Sequence, residues 1–347
     1  MLESISGGEI VRDTYTIVRH LGSGAFGDVY LARHRYMGLQ ALKVFVRQEG
    51  SDALEEAYLL ARLGHPNIVR MFEANEFELN GQKLGYFSME YVAGGTLLAL
   101  LDAELSLDDR ISLGKDLLVG LSFAHEQSPP IIHRDVCPTN ILVEKSGGGH
   151  IAKISDFGLA KHVDKDSLLA SSAGKYLYMA PESFLGIHST ATDVYSAGLV
   201  IFQLLTGSHP FRITLWPSSS PAEIAAMVRE SRNRIVPDVT EACKSLSSAW
   251  NDFFRAALAR DYEDRPATAG MLLQAYCSIA RLPSPKPPHN EATAEAGELA
   301  LQAKDLAQQT ETLPEAIGLL ERACEADPGV AAEYGALLSL WKRGIVL

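Results

Sequence analysis

Hydrophobic and polar residues alternate over much of the first ninety positions of the chain. Tyr15 and Ile17 alternate with polar residues, and after a glycine-rich stretch Val29 and Leu31 resume the alternation. Successive side chains of a strand point to opposite faces, so this period of two predicts three strands within residues 14–46.

A single helix interrupts this β-rich region. Residues 51–63 change to a helical period, and one face of the helix collects Ala53, Glu56, Leu60 and Leu63. Proline disfavours the helical conformation in the residue before it, so we expect the helix to end before His65-Pro66-Asn67. Further strands are predicted over residues 68–73 and 84–89, which completes a small, mainly β unit.

From Thr96 onward the hydrophobic pattern is mainly helical. Candidate helices span residues 97–101, 111–125, 193–206, 221–231, 245–259 and 269–279. Short strands near residues 141–143 and 152–154 flank three consecutive glycines and predict a hairpin. A β-rich unit joined to a helical one leaves a cleft between them, where a ligand would bind.

The last part of the chain predicts a separate helical unit. Residues 283–292 contain four prolines and predict a semi-rigid linker. In residues 293–347, the pattern around Glu315 resembles the second helix of a tetratricopeptide repeat, with a first helix over residues 295–309 and a third beginning at Tyr334. The match covers about one and a half repeats, and a generic helical hairpin is the alternative. We expect this tail to dock on the catalytic domain or on a protein partner.

Composition excludes several classes of protein. Of 347 residues, 47% are hydrophobic and 21% charged, which is ordinary for a globular protein with a large core. The net charge of −12 argues against nonspecific binding to nucleic acid or to an anionic membrane. The four cysteines have neither disulfide-framework nor zinc spacing, and no signal peptide or membrane-spanning run is evident. We therefore expect a cytoplasmic protein with reduced thiols.

A glycine-rich loop lies between the first two predicted strands of residues 14–46. Its residues are Gly22, Ser23, Gly24, Ala25, Phe26 and Gly27. Glycines let backbone amides approach phosphate oxygens closely. Alone, the pattern also fits a flexible hairpin or a dinucleotide site, but a dinucleotide site needs a helix next, and residues 29–32 indicate a strand.

A second group of polar residues lies between positions 133 and 158. His133-Arg134-Asp135 is followed by Asn140 and then by Asp156-Phe157-Gly158, which supplies one candidate base and two oxygen ligands suited to Mg²⁺. A single Asp or Asn in a loop is usually a turn former. Together with Ala41-Leu42-Lys43 and Glu56, in this order, the group resembles the catalytic core of protein kinases over roughly residues 13–282.

The resemblance implies an α+β, bilobal protein kinase fold. Its small β-rich N-lobe would span residues 13–89, its hinge 90–95 and its larger helical C-lobe 96–282. The implied function is transfer of the γ-phosphoryl group of ATP to serine or threonine hydroxyls of protein substrates, with autophosphorylation. Two alternatives are a nucleotide-binding pseudokinase scaffold that recruits partners through the tail, and a kinase of small molecules.

The resemblance also implies roles for individual residues. Asp135 would be the catalytic base, Lys43 would contact the ATP phosphates while paired with Glu56, and Asn140 and Asp156 would bind Mg²⁺, with Mn²⁺ as an alternative ion. The adenine pocket would be formed by the gatekeeper Met89, backbone groups from Glu90 to Val92, and the side chains of Val29, Ala41 and Leu142. Glu182 would pair with Arg265, and Asp193 would anchor the catalytic loop.

Two positions depart from the family pattern. Cys137 stands where most serine/threonine kinases carry a lysine that contacts the γ-phosphate, and a neutral thiol cannot replace it. Lys175 stands where the family usually has a threonine beside that lysine. We hypothesise that Lys175 supplies the absent positive charge, because an ammonium on a flexible stem can reach one point from different backbone origins. A solvated loop lysine is the alternative.

Overall fold

The computed structural model describes residues 5–24, 27–46, 63–101, 103, 105–147, 149–157, 173–211, 213, 220–283, 299–300, 302–304, 306–307, 313–326 and 328–342. The chain forms two compact units, Met1–Ser284 and Pro285–Leu347. The predicted helix over residues 51–63, with Glu56, and the loop residues Ala25 and Phe26 lie outside the described residues.

Six antiparallel strands form the N-terminal sheet. They are β1 (Ile10–Val11), β2 (Tyr15–Gly24), β3 (Gly27–His34), β4 (Gly38–Val46), β5 (Met71–Leu79) and β6 (Gln82–Glu90), in the order β1-β2-β3-β4-β6-β5. The predicted alternation over residues 14–46 therefore corresponds to β2, β3 and β4. The α+β, bilobal fold class is confirmed by this sheet and by the helical lobe that follows.

Register sorts the side chains of this sheet onto two faces. Lys43 lies opposite both Val29 and Phe87, and Ala41 lies opposite Met89, so these five side chains share one face. The other face buries a separate apolar cluster that contains Tyr30, Leu42, Val44 and Tyr86. Lys43 is thus a charged residue with apolar neighbours on this face of the sheet.

Two glycines allow close backbone contacts near this face. Gly27, which begins β3, has a φ of 122°, and a Cβ there would lie 2.0 Å from the Val44 carbonyl oxygen. A Cβ on Gly94 would lie 1.9 Å from the carbonyl oxygen of Val143. Glycine at position 94 therefore lets the segment between the two lobes lie directly against the following hairpin.

The prediction of a strand over residues 68–73 was wrong at its start. β5 begins only at Met71, because the backbone before it pairs with the second lobe instead. The Val69 amide donates to the Ile154 carbonyl at 2.8 Å, and the Ile154 amide donates to the Asn67 carbonyl at 2.8 Å. These bonds join the N-lobe to the strand that leads into Asp156.

The C-lobe is helical around one hairpin. Its elements are α1 (Leu97–Leu100), α2 (Leu107–His125), β7 (Ile141–Ser146), β8 (Gly149–Ile154), α3 (Ala173–Tyr176), α4 (Thr190–Thr206), α5 (Pro221–Ser231), α6 (Val239–Ala242), α7 (Ala249–Ala257) and α8 (Ala269–Ala280). The predicted hairpin and the helix over residues 221–231 are confirmed. α4 is apolar and buried along most of its length, so it forms the centre of the lobe, and it carries Asp193 into that interior.

The predicted helix over residues 245–259 was too long. The structure has the short helix α6, which Asp238 caps by accepting from the Thr240 amide, and then α7, which begins only at Ala249. Serine side chains compete for backbone hydrogen bonds, so the polar stretch before Ala249 favours a turn over a continuous helix.

The C-terminal unit contains α9 (Leu313–Ala326) and α10 (Pro328–Trp341). Small and apolar residues form its core, among them Ala303, Ala316, Leu320 and Trp341. α10 begins earlier than the predicted third helix, and its proline occupies the first helical position, where a missing amide hydrogen costs nothing. The tetratricopeptide resemblance stays a prediction. Among the described residues, none of the helices combines the length and hydropathy needed to cross a bilayer.

Candidate active site

Asp193 of α4 holds the backbone of the loop that carries Asp135. Its carboxylate accepts hydrogen bonds from the backbone amides of His133 (2.7 Å) and Arg134 (2.8 Å) and from Nε2 of His125 (3.0 Å). Burial acts to raise the pKa of Asp193, but these hydrogen bonds and the nearby histidines outweigh it, and the pKa is lowered. A buried, ionised carboxylate therefore fixes the loop, including the left-handed φ of 69° at Arg134.

The two carboxylate oxygens of Asp135 have different surroundings. Oδ2 accepts from Nδ2 of Asn140 at 2.8 Å and from Nζ of Lys175 at 2.5 Å. At Oδ1 the structure describes one contact, from the thiol of Cys137 at 3.7 Å. A thiol is a weak donor, so Oδ1 retains the capacity to accept a proton or a strong hydrogen bond.

Cys137 is almost completely buried beside this carboxylate. Its Sγ lies 3.1 Å from Oγ1 of Thr139. Burial first, and the charge of Asp135 second, raise the pKa of the Cys137 thiol to about 12. The thiol is therefore neutral at physiological pH and contributes no charge to the site.

Lys175 brings a positive charge to the same place from the segment that contains α3. Burial alone would lower the pKa of Lys175, but the carboxylate of Asp135 outweighs it, and the pKa is raised. The charge of Asp156 acts in the same direction. The structure thus brings Lys175 beside the candidate base as an ammonium, although its side chain starts 40 residues away from Asp135 in sequence.

Lys43 and Asp156 meet across the cleft between the lobes. Nζ of Lys43 donates to Oδ1 of Asp156 at 2.7 Å, and Lys43 is only 4% exposed. Burial acts to raise the pKa of Asp156, but the ammonium of Lys43 outweighs it, and the pKa is lowered. Asp156 has a φ of 62°, an uncommon conformation for a non-glycine residue that is typical of functional sites. The predicted pairing of Lys43 with Glu56 lies outside the described residues.

The side chains predicted to enclose adenine lie on both sides of the cleft. Val29, Ala41 and Met89 belong to one apolar cluster on the Lys43 face of the sheet. Leu142 belongs to β7, opposite Thr96 in an isolated bridge. The predicted adenine residues thus come from the N-lobe sheet and from the C-lobe hairpin, and their side chains are apolar, as those of ligand pockets mostly are.

Glu90, at the start of the predicted hinge, is engaged on both its backbone and its side chain. Its amide donates to the Arg70 carbonyl at 2.8 Å, and its carboxylate accepts from Nζ of Lys153 at 2.5 Å. The Glu90 amide is therefore already satisfied. Of the predicted phosphate loop, Gly22, Ser23, Gly24 and Gly27 end β2 and begin β3, with Gly24 opposite Gly27.

Asn140 and Asp156 fit a magnesium ion through their chemistry. Both N–H positions of the Asn140 amide face Asp135, since Nδ2 donates to the Asp135 carbonyl and to Oδ2, each at 2.8 Å. This leaves the amide oxygen of Asn140 to face a metal ion. Together with Oδ2 of Asp156 it offers two hard oxygen ligands of the kind that Mg²⁺ prefers. No cluster of three or more His, Cys, Asp or Glu ligands exists within the described ranges. A site with two protein ligands suits Mg²⁺, which usually completes its shell with phosphate and water oxygens.

Glu182 and Arg265 form a buried bidentate pair beneath the segment that carries Lys175. Nη1 and Nη2 of Arg265 donate to the two carboxylate oxygens of Glu182 at 2.6 and 2.9 Å. Thr192 adds a hydrogen bond to the same carboxylate at 3.1 Å. The remaining Arg265 donors bind backbone carbonyls, so the ion pair is fully hydrogen-bonded.

We expect Arg265→Met to lower the free energy of unfolding by about 3–5 kcal/mol, because it leaves the Glu182 charge buried without its partner. Urea denaturation of the purified chain measures the change. Arg255→Met is the matched control: its pair with Asp252 is exposed, with side chains 66% and 78% accessible, and we expect a change below about 0.5 kcal/mol. Equal losses in the two variants would contradict the assignment.

Two residues near the site were missed by the sequence analysis. His209 and Arg232 both donate to the backbone carbonyl of Leu177, two residues after Lys175. Neither belongs to a recognisable motif, and their carbonyl partner lies 32 and 55 residues away. No sequence signal pointed to them.

Comparison with known proteins finds similarity to protein kinases throughout. The family model described as "Protein kinase domain" matches residues 15–277. A probable serine/threonine-protein kinase PknB of Lactococcus lactis subsp. lactis (strain IL1403) is 31% identical over 271 residues, which are 74% of this chain and 40% of that protein. Serine/threonine-protein kinase PknB of Mycobacterium leprae (strain TN) is 31% identical over 80% of this chain and 44% of its own length. Serine/threonine-protein kinase ATG1a of Arabidopsis thaliana is 29% identical over 79% and 46%. The chain spans less than half the length of these curated relatives.

Proposed function

The chain belongs to the protein kinase domain family, and from that membership we propose that it is an ATP-dependent protein kinase that phosphorylates serine and threonine hydroxyls of proteins. The observation that supports this most strongly is a convergence of charges. Lys43 and Asp156 are in contact across the cleft, while Asp135, Asn140 and Lys175 form a second hydrogen-bonded group next to them. Phosphoryl transfer depends mainly on such positioning and charge stabilisation.

Asp135 is proposed to accept the proton of the substrate hydroxyl through Oδ1. Its other oxygen is held by Asn140 and Lys175, which fixes the orientation of the carboxylate. A base for this reaction need not be strong, because the developing charge is stabilised by neighbouring cations.

Lys43 and Lys175 are proposed to bind opposite ends of the triphosphate. Lys43 lies on the sheet face beneath the glycine-rich loop and would contact the α- and β-phosphates. Lys175 lies beside the base and would contact the γ-phosphate, the charge that Cys137 cannot supply. Asn140 and Asp156 would hold Mg²⁺, which when bound neutralises phosphate charge.

The pseudokinase alternative is not favoured. Lys43, Asp135, Asn140 and Asp156 are all present, and the relatives named above are serine/threonine-protein kinases. The buried Glu182–Arg265 pair closes a segment of the kind that accepts protein substrates in this family, which favours proteins over small molecules as phosphate acceptors.

The proposal is tested by incubating the full chain with ATP labelled at the γ-phosphate, Mg²⁺ and a serine-rich protein such as casein. We expect labelled phosphoserine or phosphothreonine, and a loss on the order of 100-fold in kcat for Asp135→Asn, since the amide cannot accept the proton. Asp252→Asn, on the exposed face of α7, is the control and should retain full activity. ATP binding without any transfer would favour the pseudokinase.

A further inference from the structure

The position of Lys175 depends on the segment around α3, not on the loop that carries Asp135. In that segment the Leu177 amide donates to the Gly174 carbonyl at 3.3 Å, and the Tyr178 amide donates to the Lys175 carbonyl at 3.0 Å. These bonds connect Lys175 and Leu177 in one tight turn. Whatever holds Leu177 therefore also holds the backbone of Lys175.

The Leu177 carbonyl accepts two hydrogen bonds from the C-lobe. Nε2 of His209 donates at 2.9 Å, and Nη2 of Arg232 donates to the same oxygen. Arg232 also approaches the Met179 carbonyl, at 3.4 Å. One backbone oxygen is thus fixed from the end of α4 and from the end of α5 at the same time.

The protonation state of His209 suits this contact. Burial, with the charge of Arg232 adding to it, lowers the pKa of His209 to about 4, so the ring is neutral. Nε2 lies 2.9 Å from the Leu177 carbonyl, which can only accept, so this hydrogen bond requires the ring proton on Nε2. Nδ1 lies 3.2 Å from the Phe211 amide and 2.9 Å from the Phe211 carbonyl oxygen, and in this tautomer it accepts from the amide.

Arg232 is an expensive residue to bury at this position. It is 4% exposed, and its Nε and Nη1 have no hydrogen-bond partner in the described part of the chain. Among the described residues no carboxylate lies within ion-pair distance of it, and burial lowers its pKa. Its guanidinium lies over Phe211, 4.9 Å from the ring centroid. A buried cation without a counter-ion destabilises a fold, and such costs are typical of residues that serve a functional site.

We propose that His209 and Arg232 are positioning residues that hold Lys175 beside Asp135 by fixing the Leu177 carbonyl. The inference rests on the proposed function, in which Lys175 acts on the γ-phosphate. A lysine on the catalytic loop would be held by that loop itself, whereas a lysine on the later segment needs this separate attachment.

Removing the donors should reduce turnover without unfolding the protein. We expect Arg232→Met and His209→Phe each to lower kcat by about tenfold, because small displacements of a catalytic group have effects of this size, and to leave KM for ATP within about twofold. Arg232→Met should keep or raise Tm, because it removes the unsatisfied charge.

His209→Gln, whose amide N–H replaces the ring donor, should retain most activity. Arg229→Met, an exposed arginine on α5, should change nothing.

Testing Arg232→Met in a variant whose lysine has been moved to the catalytic loop separates a positioning role from general structural support. In a chain with Cys137→Lys and Lys175→Thr, the lysine is on the catalytic loop and no longer depends on Leu177. We expect Arg232→Met to lower kcat by less than about twofold there. An equal loss in both backgrounds, or no loss in the wild-type background, overturns the inference.

Nucleotide binding separates this inference from the proposed function. Because Lys175 would contact only the γ-phosphate, Arg232→Met and Lys175→Ala should both weaken a nonhydrolysable ATP analogue relative to ADP, each with Mg²⁺, by about twofold in calorimetry, since most of the effect belongs to the transition state. If the wild-type chain neither binds these nucleotides nor transfers phosphate, the proposed function itself fails. If it does both, and the ratio of the two affinities is unchanged in Arg232→Met, only the positioning role fails.

Discussion

Asp156→Ala should lower kcat for phosphoryl transfer on the order of 10⁴-fold, because loss of one preorganised charge costs roughly 10²–10³ and this change disturbs two. The carboxylate is the charged member of the proposed Mg²⁺ ligands, and its Oδ1 also receives the Lys43 ammonium at 2.7 Å. Without it, Lys43 loses its described partner across the cleft. Initial rates with labelled ATP, at saturating nucleotide, measure the change.

Asp156→Asn is the matched variant for this prediction. Asparagine tolerates the left-handed backbone that Asp156 adopts, with its φ of 62°, so it removes the charge without adding backbone strain. We expect a loss within about tenfold of that in Asp156→Ala. Activity near the wild-type level in the asparagine variant would show that the carboxylate charge is not needed, and would contradict the assignment of Asp156 as a metal ligand.

The N-lobe could be predicted from the sequence because its structure is local. A period of two places Val29 and Leu31 on one face of a strand, and the same period applied to β4 places Ala41 and Lys43 together. The start of β5 could not be predicted in this way. Residues 67–69 have strand-like composition, but their hydrogen bonds go to Ile154, which lies far away in sequence.

The candidate site was predicted through family resemblance rather than through spacing. Lys43 and Asp156 are 113 residues apart in sequence, and this separation does not predict their contact. Each residue lies in a recognisable motif, and the motifs predict that the two side chains meet. His209 and Arg232 have no such motif. Their role depends on a backbone carbonyl, an acceptor that every residue offers, so no residue type in the sequence marks Leu177 as their partner.

Lys175→Ala should lower kcat on the order of 10³-fold, with KM for ATP changed by less than about threefold. The ammonium lies 2.5 Å from Asp135 and beside a neutral thiol, so the alanine variant leaves the γ-phosphate without a cation from either origin. Its charge matters most as negative charge redistributes in the transition state, which is why the loss should appear in kcat.

Moving the lysine to the catalytic loop should restore activity. Cys137→Lys combined with Lys175→Thr puts one ammonium back beside Asp135, and we expect kcat within about tenfold of wild type. Cys137→Lys alone should gain nothing, because two ammonium groups would compete for one partly buried carboxylate. The three variants are compared by initial rate, with Tm recorded to show that each is folded. Full activity in Lys175→Ala, together with no gain in the relocated variant, would identify Lys175 as an ordinary loop lysine. The positive charge that Cys137 cannot supply would then have to come from another residue.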